Sequence, residues 1–65
     1  MTFPDDAPVK LVKAYTTVLG ATLPANETGT VQASMESQTH NRVYTIHFDN
    51  YGKHHGIPHA VLTKA

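Results

Sequence analysis

Four of the five histidines in this 65-residue chain fall within the stretch HFDNYGKHHGIPH, residues 47–59. Imidazole nitrogen is a common ligand for Zn, Ni and Cu ions. His47, His54, His55 and His59 are therefore the candidate metal ligands, with Asp49 a candidate oxygen donor. A zinc site needs three or four such atoms converging at about 2 Å. The spacing works against convergence. His55 and His59 stand four apart, but Gly56 and Pro58 lie between them and disfavour a helical clamp. In extended backbone, adjacent His54 and His55 point to opposite faces. The stretch therefore reads first as an exposed histidine-bearing loop, with His47 on the solvent-leaning side of a strand. No cofactor is expected on this reading, and a Zn, Ni or Cu ion is the alternative.

Bond-making chemistry finds little else to work with. Thr16, Thr17, Ser34 and Ser37 carry hydroxyls, and His40 follows Ser37 closely, which is ordinary loop polarity. Asp5 and Asp6 are adjacent in the lead-in, and the acidic residues show no spacing suited to an acid–base pair. The GTV at residues 29–31 enters a strand and does not match a glycine-rich phosphate loop. The chain is not expected to be an enzyme unless an oligomer assembles a cleft between copies.

Composition narrows the classes further. Five Lys/Arg balance five Asp/Glu, so the formal charge is zero with histidine neutral. Protonating all five histidines would raise it from zero to +5. Nonspecific nucleic-acid binding needs clustered cations, and Lys10, Lys13, Arg42, Lys53 and Lys64 are scattered. There is no cysteine, hence no disulfide or thiolate. A chain of this size buries only about 60% of its unfolded surface, so self-association or a partner would help it. No apolar run is long enough to cross a bilayer, and MTFPDDAP does not read as a secretory signal. A cytoplasmic location is expected.

The elements that must position these residues read as β. Residues 1–8 form a loose lead-in with two prolines, and residues 9–65 form one domain. VKLVKAYTTVLG is rich in β-branched residues and favours a strand, although Asp6, Pro8 and Gly20 would also fit a helix. Leu23-Pro24-Ala25-Asn26 is turn chemistry, with Asn26 suited to the left-handed region. Gly29, free to take φ > 0, then opens a strand with Thr30 and Val31. MESQTHN, residues 35–41, reads as a hairpin loop. RVYTIHFD alternates cleanly and puts Tyr44, Ile46 and Phe48 on the core side. Turns follow at Asn50–Gly52 and Gly56–Pro58, and HAVLTKA reads as a short strand or a helical turn followed by one. Four to five short antiparallel strands with turns about every ten residues predict an all-β small barrel, whose closure would remove open edges.

The succession VKLVKAYTTV, LPANETGTVQAS, VYTIHFDNYG and IPHAVLTKA resembles the SH3-like small barrels of bacteria. It is most similar to an uncharacterised set whose strand-opening turn has the form LPxGxxGTV, and more distantly similar to KOW-type modules and accessory subunits of photosynthetic and redox complexes. The likeness spans about residues 9–64, with Asn26 where such turns often carry glycine. It implies a barrel that docks onto a protein partner without chemistry of its own. It also implies a groove of exposed aromatics near the long loop, for which Tyr15 and Tyr51 are the candidates, with MESQTHN and the His54-His55 pair as neighbours. A KOW-like role on nucleic acid is a further alternative.

Overall fold

Strong period-two alternation anchors the centre of the sheet. In β5 (Arg42–Phe48), Tyr44, Ile46 and Phe48 are buried, while His47 is exposed. The computed structural model describes residues 2–36 and 41–65. Six further strands accompany β5 among the described residues: β1 (Pro8–Leu11), β2 (Tyr15–Thr16), β3 (Thr22–Leu23), β4 (Thr28–Glu36), β6 (Gly52–Pro58) and β7 (Leu62–Lys64). A single 3₁₀ turn, His59–Val61, leads into β7, as the second reading of HAVLTKA expected. No described helix is long and apolar enough to cross a membrane.

Five strands form one antiparallel sheet in the order β6-β5-β4-β1-β7, and β2 pairs with β3 in a separate two-stranded ribbon. The expectation of an all-β antiparallel domain is met, but the expected closed barrel is not. The sheet is open, with β6 and β7 as its edges. Its core gathers Val9, Leu11, Leu23, Val31, Tyr44, Ile46, Phe48, Ile57, Val61 and Leu62. A bulge between Val31 and Ala33 ends the buried half of β4, and residues 33–36 are all exposed.

VKLVKAYTTVLG is neither one strand nor a helix. β1 ends at Leu11, and the Val12 amide leaves the sheet to donate to Val61 O (2.9 Å). Lys10 and Lys13 stand on opposite parities, so one continuous strand would put a lysine on each face. The chain instead folds into the β2–β3 ribbon. Its turn is closed by Thr17 N–H donating to Ala21 O (2.8 Å) and Ala21 N–H donating to Thr17 Oγ1 (3.2 Å). Gly20 adopts φ 89° there.

Asn26 takes φ 68°, as its turn chemistry predicts. Gly29 does not have positive φ. Its requirement is space, because β5 passes directly against its Cα. Met35 and Glu36, read as loop, are the last residues of β4. Residues 37–40, with the Ser37–His40 pair, lie outside the described residues.

The lead-in is docked and not loose. Asp6 N–H donates to Val31 O (2.7 Å) and Val31 N–H donates to Ala7 O (3.0 Å), so β4 holds the segment. Half-buried Phe3 packs on the core.

One buried acid ties the β5–β6 turn to β4. Glu27 is 7% exposed. Its carboxylate accepts from Asn50 N–H (2.9 Å) and Asn50 Nδ2 (3.2 Å), while Thr28 Oγ1 donates to Asp49 Oδ2. Glu27→Gln keeps one acceptor oxygen but turns an amide donor toward a donor. Hydrogen bonds to charged groups contribute about 1.5–3 kcal/mol, and we expect a loss near the lower figure in urea unfolding. An unchanged midpoint would contradict this role.

Candidate functional site

The most exposed aliphatic side chains lie at the tip of the β2–β3 ribbon. Val18 and Leu19 are 90% and 89% exposed. Isolated exposed aliphatics are common, but these two are consecutive and rim one depression. Thr17, Val18 and Leu19 form one side, and Lys53, His54 and His55 of β6 form the other. The hydrogen bonds that close the ribbon turn hold the pair outward.

The opposite wall is an ordered strand, not the loop expected for His54 and His55. Gly52 (φ 76°) starts β6 out of the turn, and Gly56 (φ 73°) sits where the β5–β6 register slips between Tyr44 and Ile46. Pro58 is tolerated because β6 is an edge strand, where a missing N–H need not break a ladder.

Each imidazole is oriented differently. The half-buried His54 ring packs on Phe48 with centroids 6.0 Å apart. Its Nε2 lies 3.1 Å from Tyr51 O. A carbonyl only accepts, so Nε2 carries the proton and Nδ1 is left open. His55 is exposed, with Nδ1 3.0 Å from Thr45 Oγ1. His47 is exposed on β5 opposite Lys53.

His59 stands apart from that group, inside an aromatic cluster. Its Nδ1 is 2.9 Å from the Tyr44 hydroxyl, which also accepts from Phe3 N–H (3.1 Å). The Phe3 ring stacks on the imidazole at 4.9 Å and 25°. With Phe3 donating to the hydroxyl, the arrangement that satisfies every hydrogen has Tyr44 donating to an unprotonated Nδ1.

His47, His54, His55 and His59 therefore do not converge as the metal reading required. Among the described residues, no group of three or more His, Cys, Asp or Glu is placed to hold a metal ion. Strand alternation separates His54 from His55, and the Tyr44 hydroxyl engages His59. Asp49 faces Thr28.

The other predicted site residues divide. His54 and His55 line the depression, whereas Tyr15 and Tyr51 do not. Tyr15 is half-buried against the core, and Tyr51 is 48% exposed in the β5–β6 turn. Val18, Leu19 and Lys53 were missed. Their signal was a pair of aliphatics set directly before a turn glycine in TTVLG. The site combines apolar side chains, one lysine, two imidazoles and a sheet edge, a set suited to gripping a ligand. No protein-family model, curated protein or solved structure matches this chain.

Proposed function

We propose that this chain is a small non-catalytic binding module of SH3-like strand sequence that docks onto a protein partner. The observation that carries the reading is the exposed Val18-Leu19 pair facing edge strand β6. Two adjacent aliphatics held in water by a hydrogen-bonded turn have no role in this chain's own core, and exposed apolar surface of this kind marks interaction sites. The SH3-like part is supported by the chain order. A first strand leads through a long excursion to a strand entered at Thr28, a hairpin leads to the Tyr44/Ile46/Phe48 strand, and a short segment closes the sequence.

The metal reading has no convergent ligands among the described residues to support it. The nucleic-acid reading relies on Lys10, Lys13, Arg42, Lys53 and Lys64, which are spread over β1, the bend after it, β5, β6 and β7.

The test is a comparative pull-down from native lysate. The wild-type chain is expected to capture a discrete protein, and the Val18→Ser/Leu19→Ser double variant is expected to lose it while keeping its circular-dichroism spectrum. Equal capture by the two chains, or none above the bead control, would overturn the proposal.

A further inference from the structure

The chemistry lining the depression specifies what it would hold. Its polar lining is Thr17, Lys53, His54 and His55, and its apolar lining is Val18 and Leu19. No carboxylate lines it. The carboxylates on neighbouring elements are already engaged. Glu27 accepts from Asn50 and Asp49 accepts from Thr28. Beyond the lining, the nearby titratable groups are His47, paired across from Lys53, and Tyr51, whose backbone carbonyl accepts a hydrogen bond from His54 Nε2–H. The site's balance of charge is thus cationic on an apolar base.

The wall itself offers backbone. β6 is the last strand on its side of the sheet, so one flank has no strand partner among the described residues. Gly56, with φ 73°, and Pro58, with no N–H, interrupt the far half of that flank. The regular portion runs from Gly52 to His55, beside the depression.

We infer that the depression grips an extended protein segment carrying carboxylates beside aliphatic side chains, added as a strand along Gly52–His55. The aliphatics meet Val18 and Leu19, and the carboxylates, on the other face of the added strand, meet Lys53 and His55, which share one face of β6. Main-chain pairing supplies affinity and alternate side chains supply selectivity, as in strand addition generally. This inference rests on the protein-binding reading above and adds the partner's chemistry to it.

Fluorescence anisotropy with labelled, capped synthetic peptides tests this. One alternates glutamate with valine, and a second alternates lysine with valine. The glutamate peptide is expected to bind at least about tenfold more tightly than the lysine peptide. Lys53→Glu should abolish the preference. Equal binding of both peptides, or a preference that survives Lys53→Glu, would overturn the inference. So would tighter binding of a single-stranded oligonucleotide than of the glutamate peptide. If the peptides fail while the Val18/Leu19 variant still loses its captured protein, the acidic-strand inference falls and the protein-binding reading stands.

Discussion

Gly29→Ala is expected to lower the stability of this domain by about 3 kcal/mol, at the upper end for overpacking a core position. A Cβ at residue 29 would lie 2.7 Å from His47 O, 2.8 Å from Ile46 Cγ2 and 3.0 Å from Phe48 Cα. Two of these atoms are backbone, so no side-chain rotation relieves the clash. β4 would have to move off β5. Residue 29 is also paired with Val9 of β1, so the displacement reaches both neighbours in the sheet. The opposing benefit, a less flexible unfolded chain, is only about 0.4–1 kcal/mol. Urea unfolding followed by circular dichroism measures the difference. Gly20→Ala is the control, since nothing lies within 4 Å of its added Cβ and only the φ of 89° is strained. That strain costs roughly 1–2 kcal/mol. If Gly29→Ala is the milder of the two, the close approach of β4 and β5 is wrong.

Tyr44→Ala should cost about 3–5 kcal/mol, the range for truncating a buried aromatic. Tyr44 is 1% exposed and among the largest fully buried side chains. Tyr44→Phe separates the two contributions of the residue. It keeps the ring and removes the hydroxyl that joins Phe3 N–H to His59 Nδ1. The conservative variant should lose about 1–2 kcal/mol, the cost of leaving buried partners unpaired. It should also loosen Phe3, visible in proton spectra as collapse of the ring-current shifts between Phe3 and His59. Unchanged stability with intact shifts would show that the hydroxyl does not hold the segment.

Much of the sheet was legible because burial imposes a period on sequence. Tyr44, Ile46 and Phe48 alternate with Val43, Thr45 and His47, and the core takes the first set. Asn26 announced its own backbone conformation. The histidine stretch was harder. Gly52, Gly56 and Pro58 read as breakers, yet an edge strand tolerates all three, because its outer flank has no ladder to lose. Val18 and Leu19 failed for the opposite reason. In a β-branched run they resemble core, and the turn closed by the Thr17–Ala21 and Gly20–Thr17 hydrogen bonds sets them outward. Phe3 was hidden among prolines and aspartates, since its partners Tyr44 and His59 lie far along the chain. Sequence therefore carried His54 and His55 into the candidate site, while the apolar half depended on a turn that composition does not disclose.

The pairing of β1 with β7 has a kinetic side. Val9 stands opposite Lys64, so the two strands meet only after almost the whole chain has been gathered. The β4–β5–β6 meander closes over short connections and can assemble early. β1 must then insert between β4 and a strand from the far end of the sequence. Loop-closure entropy is spent before those contacts reward it, which places the domain among slow, millisecond-to-second folders despite its size. On a ribosome, β1 can pair with β4 once β4 has emerged, but the other flank of β1 stays open until β7 follows.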